Sequence, residues 1–263
     1  MEWNVQQGAV EAVADRSSAA EEEEADSTDP YRPASMAPGR LLEVYLDLLS
    51  QPCRAVQILL ARTGIPHKVC AVALRKGDQR TAEFTKLNPM QKVPVMVDNG
   101  FVLTESDAIL KYLTTKEGVP EHWYPPQPDR RARVDEYTAW HHTNTRPHAA
   151  KVFLLEVLFP AQTGGPVDEA RLWRALSELD GTLDKLESMF LRRQPFLCGD
   201  DITIADLLAV CEIMQPLGGG RDILKDRPLL QRWKSRVQSA VGEAFDEAHS
   251  VLYALRDRRK AKL

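Results

Sequence analysis

The chemistry-bearing residues centre on the elbow Ser50-Gln51-Pro52-Cys53. Before it, Leu42, Val44 and Leu46 alternate with Glu43, Tyr45 and Asp47, the period of a half-buried strand. After it, Ala55, Val56, Ile58, Leu59 and Leu60 supply an apolar helical face. Ser50 suits a helix N-cap, and Pro52 suits the first helical turn, where its missing N–H costs nothing. The spacing therefore predicts a hydroxyl at the positive end of a helix, just after a strand. That is a place to hold an anion or to favour a thiolate over its thiol. A plain capping serine would give the same pattern. Other reactive residue types carry weaker signals. Cys53, Cys70, Cys198 and Cys211 form no C-x-x-C pair and no ligand cluster with histidine, so reduced thiols are the simplest reading. His141, His142 and His148 lack metal-ligand spacing with carboxylates, and no metal is expected. Gly218-Gly219-Gly220 has neither the strand nor the Lys-Ser/Thr of a phosphate loop.

The elements that must position the elbow follow in order. Gly64 stops the first helix, and Lys68–Leu74 reads as a second strand. Thr81–Leu87 fits a short helix ending at Asn88-Pro89. Val93–Val97 and Phe101–Leu103 are strands joined through Asp98-Asn99-Gly100, a strong hairpin signal. Thr104–Asp107 starts a helix over Ala108–Leu113. The order βαβαββα describes an α/β unit over residues 41–117. Proline-rich residues 118–128 read as a linker. Helical patterns then dominate 129–250, with candidates at Arg130–Thr145, Ala149–Leu158, Asp168–Arg192, Thr203–Met214 and Pro228–Val241. Thr203-Ile204-Ala205-Asp206 is a capping box, with Ile202 and Leu207 as its hydrophobic staple. The run Arg256-Asp257-Arg258-Arg259-Lys260 suggests a solvated charged tail over 251–263.

Composition narrows the class. The chain has 263 residues and a formal charge of −4, but residues 1–40 hold nine acidic and three basic side chains, leaving the remainder near neutral. That extension, with Glu21-Glu22-Glu23-Glu24 and many Ser, Pro and Ala, is too poor in apolar residues to offset its ordering entropy, so disorder is expected. There is no nucleic-acid footprint. No apolar run approaches the about 18 residues of a membrane helix. No secretory or transit leader is evident, and a cytoplasmic location is expected.

An N-terminal βαβαββα unit, a proline-rich linker and an all-α domain resemble the cytosolic glutathione transferases. The stretch Tyr45–Val56 resembles the theta class, as do Asn88-Pro89…Lys92-Val93-Pro94, Leu103-Thr104-Glu105-Ser106, Trp123-Tyr124-Pro125 and Arg131–Tyr137. The resemblance covers roughly residues 41–250. It implies a thioredoxin-like α/β domain followed by an all-α domain, and a detoxifying transferase with reduced glutathione as co-substrate and no cofactor. It implies that Ser50 donates its O–H to the glutathione sulfur, because the thiolate is the nucleophile and an ordinary thiol ionises little at neutral pH. It implies a cis Val93-Pro94, with Val93 offering its backbone to the cysteinyl part of the tripeptide, a short strand addition. Glu105 would pair with the γ-glutamyl ammonium, while Ser106 and helix N–H groups would hold its carboxylate. Lys92, Gln79 and Arg80 are candidates for the glycyl carboxylate. Gln79 departs from the histidine of many theta members. Arg146 resembles the arginine directed at the electrophile pocket. Lys92, Arg80 and Arg146 would look the same as surface charges.

The expected activity is conjugation of glutathione to small electrophiles, with glutathione-dependent dehalogenation or peroxide reduction as extensions. The alternative is a non-catalytic glutathione-binding or protein-interaction member of the same fold. It draws on Gln79 and on the expectation, taken from the charged C-terminal run, that the further helix theta enzymes place over the site is lacking here. Thiol reductase chemistry ranks last, because position 50 carries a hydroxyl where the reactive cysteine would stand. A homodimer is implied by the family.

Overall fold

The computed structural model describes residues 41–261; the acidic stretch 1–40, read above as disordered, and residues 262–263 lie outside the described residues. The first half folds as the predicted βαβαββα unit: β1 Leu42–Leu46, α1 Gln51–Thr63, β2 His67–Ala71, α2 Ala82–Leu87, β3 Val95–Asp98, β4 Phe101–Thr104 and α3 Ser106–Leu113. The sheet order is β2-β1-β3-β4, with β1–β2 parallel and the other pairs antiparallel. Each boundary has a local cause. Gly64 takes a left-handed φ of 66° and its N–H closes α1 on the Leu60 carbonyl at 3.0 Å. Asn99 and Gly100, with φ of 50° and 89°, make the two-residue turn that the β3–β4 hairpin requires.

The second half is helical. α4 spans Pro128–Thr143 and α5 spans Thr145–Phe153, which runs through a π turn at Leu154–Leu158 into α6, Phe159–Thr163. α7, Glu169–Lys185, also ends in a π turn, Leu186–Phe190. α8 Ile204–Ile213, α9 Pro228–Val241 and α10 Glu243–Lys260 complete the described chain. Every residue of α8 is buried, and α1 packs on both α8 and α10, so one apolar core continues from the sheet domain into the helices.

The predicted capping box is present. Asp206 accepts from the backbone N–H of Thr203 at 2.9 Å and of Leu197 at 2.9 Å, and from the indole Nε1 of buried Trp233 at 2.8 Å. One carboxylate thus anchors the start of α8, the preceding loop and α9.

The charged tail expected over 251–263 is corrected: those residues up to Lys260 are the second half of α10. Phe245, Ala248, His249 and Leu252 recur at helical spacing and are buried, while Arg258 and Lys260 face out. The terminal charges mask an amphipathic helix whose buried stripe ends at Leu252, four residues before Arg256.

Candidate active site

Strand register gathers the dispersed residues. Leu46 at the end of β1 lies opposite Ala71 at the end of β2, Tyr45 opposite Val95 at the start of β3, and Val95 opposite Thr104 at the end of β4. The elbow after β1, the turns after β2 with Gln79 and Arg80, Lys92-Val93-Pro94 before β3, and Glu105-Ser106 after β4 therefore leave the sheet at one end.

Ser50 holds the N-cap position of α1, with φ −83° and ψ 125°, but its side chain makes no capping bond, contrary to the capping role its position predicts. The elbow is held by other groups. Asp47 accepts from the N–H of Leu49 at 2.8 Å through one carboxylate oxygen and of Leu74 at 2.9 Å through the other. The Ser50 N–H donates to the Asp47 carbonyl at 2.9 Å. Arg54, fully buried, donates from Nη1 to the Leu48 and Leu49 carbonyls at 2.8 and 3.2 Å, and from Nη2 to the Cys211 carbonyl and Gln215 Oε1 at 2.9 and 2.6 Å. Gln215 Nε2 returns to the Leu49 carbonyl at 3.3 Å. One guanidinium thus ties the two residues before Ser50 to the end of α8. Cys53 is buried, and burial pushes its thiol up to about 11, so it stays protonated near neutral pH.

The Val93-Pro94 bond is cis. Asn88, buried, shapes the approach to it by donating to the Lys92 carbonyl at 2.8 Å and accepting from the Met90 N–H at 3.0 Å. Glu105 sits at φ 65°, unusual for a residue with a Cβ, with its side chain exposed, and Ser106 behind it opens α3 in a buried position. Lys92 and Arg80 are exposed. Gln79 is half-buried, with its Oε1 buried and unpartnered.

Arg146 lies on α5 and is about two-fifths exposed. Its Nη1 donates to Glu212 Oε1 at 2.8 Å. Glu212 is buried on α8, its Oε2 lacks a hydrogen bond, and burial raises its carboxyl to about 7 despite the opposing charges of Arg146 and Arg54. Gln51, next to Ser50, also faces this carboxyl.

Beside Ser50 lies a cavity of about 270 Å³. Leu49, Leu74, Phe153, Leu154 and Leu158 form apolar walls, with Gln51, Gln162 and Gln215 among its polar lining. The π turn explains how one helix supplies so much of it. Ala150, Leu154, Leu158 and Gln162 are four apart; in α geometry each such step drifts about 40° around the axis, and the wider π turn at Leu154–Leu158 turns that drift back. Arg146, one turn before Ala150, does not line this cavity.

The sequence reading missed Gln51, Arg54, Phe153, Glu212 and Gln215. An Arg54 directly before the apolar helical face that starts at Ala55 and a Glu212 inside the apolar run of α8 were visible signals, since charged residues are rarely buried without a partner.

Comparison with known proteins agrees with this geometry. Residues 45–115 match the family model of the glutathione S-transferase N-terminal domain, and residues 151–240 that of the C-terminal domain. The chain is 48% identical to mouse glutathione S-transferase theta-3 over 217 residues, 82% of this chain and 90% of the relative. Human glutathione S-transferase theta-1 is likewise 48% identical over the same shares. Among solved structures, the apo form of human glutathione S-transferase T1-1 superposes with a TM-score of 0.79 at 47% identity, covering 82% of this chain and 91% of that one. A human theta-2 enzyme in complex with glutathione and an unknown ligand gives 0.80 at 40% identity, covering 84% and 91%. With both halves of the fold matched and nearly half of the aligned residues identical, this chain belongs to the glutathione transferase family, in its theta class.

Proposed function

We propose that this transferase joins reduced glutathione to small, mostly apolar electrophiles, with Ser50 stabilising the attacking thiolate. The observation that carries the reading is the Ser50 hydroxyl itself: it is free of capping, stands at the N-terminus of α1, and borders the apolar cavity. A sulfur placed there receives an O–H and the positive end of the helix dipole, which lowers its pKa. The thiol proton leaves to solvent. The thiolate forms a sulfur–carbon bond as the carbon–leaving-group bond breaks and the leaving group departs with its electron pair, or it adds to an activated double bond or epoxide. Closely held reactants gain rate from orientation alone.

The remaining residues take positioning roles. Glu105 pairs with the γ-glutamyl ammonium and Ser106, with the first N–H groups of α3, holds its carboxylate. Val93 presents backbone groups to the cysteinyl unit, and Lys92, Gln79 and Arg80 face the glycyl carboxylate. Arg146, held by Glu212 one turn before the cavity-lining Ala150, is the arginine that similarity to the theta class directs at the electrophile. The thiolate also suits attack on carbon–halogen bonds and on peroxides, where a second glutathione completes the reduction. The human theta-2 structure with glutathione and a human theta-class structure with the glutathione conjugate of 1-menaphthyl sulfate support the conjugation reading by similarity. A homodimer in the cytoplasm, using glutathione as co-substrate and no other cofactor, is part of the proposal.

The test is retention on immobilised glutathione, with turnover of alkyl halides, epoxides and hydroperoxides, for the wild type and Ser50→Ala. The expected result is retained binding with turnover lowered by about 100-fold or more, in the range of a lost oxyanion-type donor. Binding without Ser50-dependent turnover contradicts the mechanism and favours a binding-only member.

A further inference from the structure

We propose that Gly218 sets the size of electrophile this site accepts, by letting Phe153 lean away from the cavity beside Ser50; this rests on the conjugation reading above. Gly218 lies in the 3₁₀ turn Pro216–Gly219, directly after Gln215, and is buried. Its φ is not in the left-handed region, so glycine is not required by backbone conformation there. What requires it is space. A Cβ on Gly218 would lie 3.0 Å from Leu252 Cδ2 and 3.2 Å from Phe153 Cε2, closer than ordinary carbon–carbon contact.

Those two neighbours differ in what lies beyond them. Leu252 is fully buried on α10, whose apolar stripe packs against this turn and against α1. Phe153 closes α5, is almost fully buried, and forms part of the wall of the cavity that Ser50 borders. Close-packed interiors transmit displacement. Any group that fills the Gly218 side pushes the phenyl ring toward the cavity, because on the other side Leu252 is held by the core. The contact chain therefore runs from α10 through Leu252 and the bare Gly218 backbone to Phe153 and the electrophile. A cavity of about 270 Å³ is near the small end of ligand sites, so a shift of a few tenths of an ångström in one aromatic wall falls mostly on the bulkiest substrates.

This makes Gly218 and Leu252 positioning residues with opposite effects. Gly218→Ala drives the ring inward; Leu252→Ala gives it room to retreat. Both remove packing quality and both destabilise the fold, so a merely structural role would change all substrates alike and in the same direction. One methylene of misfit in an apolar pocket discriminates by about 10-fold or more, and a partial ring shift is a fraction of that.

The experiment measures kcat/KM for a short alkyl halide and for a naphthylmethyl halide, with the KM for glutathione, in the wild type, Gly218→Ala, Leu252→Ala and the double variant. The expected ratio of bulky to short substrate falls about 5-fold in Gly218→Ala, rises in Leu252→Ala, and returns toward the wild-type value in the double variant, with the glutathione KM unchanged. If Gly218→Ala does not fold, the opposite shift in Leu252→Ala and the ratio in the double variant carry the test. Ratios unchanged across variants that turn over normally, or shifted in the same direction by both single changes, overturn the inference alone. A wild type without Ser50-dependent turnover overturns the conjugation reading, and this inference with it.

Discussion

Arg54 offers the sharpest test of how the elbow is held. The perturbation is Arg54→Met, which keeps the stem and removes the guanidinium. Four acceptors then lose the guanidinium: the buried Cys211 carbonyl and Gln215 Oε1, and the half-buried carbonyls of Leu48 and Leu49, of which the Leu49 carbonyl keeps Gln215 Nε2. Each buried acceptor left unsatisfied costs about 1–3 kcal/mol. Against this, the variant no longer buries a cation, whose desolvation already pulls the Arg54 pKa down. Breaking a buried charged network from one side is typically worth about 3–5 kcal/mol net, a large share of a folding stability of about 5–15 kcal/mol. With a urea slope of about 3 kcal/mol per molar, the unfolding midpoint falls by about 1 M or more. Arg54→Lys keeps the charge but not the planar fork, cannot span all four acceptors, and falls between. Because Arg54 and Gln215 share a 2.6 Å bond and both reach the Leu49 carbonyl, a double-mutant cycle with Gln215→Leu gives a coupling of about 1 kcal/mol or more. The assay is urea unfolding followed by far-ultraviolet circular dichroism. A midpoint shift below about 0.3 M for Arg54→Met, or additive single effects, refutes the view that this guanidinium joins the two domains at the elbow.

Three more expectations follow from the same contacts. Asp206→Ala strands the N–H groups of Leu197, Thr203 and Trp233 inside the core and lowers stability by about 3–5 kcal/mol, checked by urea unfolding; a loss under about 1 kcal/mol contradicts the anchoring role. Burial holds the Glu212 carboxyl at about 7 against an ordinary 4.5; a folded pKa above the unfolded one favours folding below about 4.5 and loses that contribution as pH rises through about 7. Glu212→Gln therefore gains stability relative to the wild type between pH 5 and 8, by an amount on the order of 2 kcal/mol, read from unfolding midpoints at each pH; parallel pH curves refute it. Glu105→Gly relieves a φ of 65°, whereas Glu105→Ala keeps it, so the glycine variant is more stable by about 1 kcal/mol in thermal unfolding while both lose glutathione affinity; equal stability of the two removes backbone strain from the account.

The sequence by itself determined the α/β-then-helical architecture, because local signals decided it: alternation over β1, Asn99-Gly100 for the hairpin, the capping box at Thr203–Asp206, and glycines and prolines at the ends of elements. It also marked the elbow, Val93-Pro94 and Glu105-Ser106 as segments of interest, since residue type and order are local information. It misread the end of the chain, where a run of charge hid the buried stripe of α10. Only the tertiary structure decided that Ser50 would not cap its helix, that Arg54 and Gln215 would hold the elbow from across 161 positions, that Glu212 would face Arg146, and that Phe153 would both line the cavity and crowd the bare backbone of Gly218. The reason is physical. Secondary structure answers mainly to hydrogen bonds and periodicity within a few residues, whereas a buried polar group is satisfied by whichever partners packing brings to it.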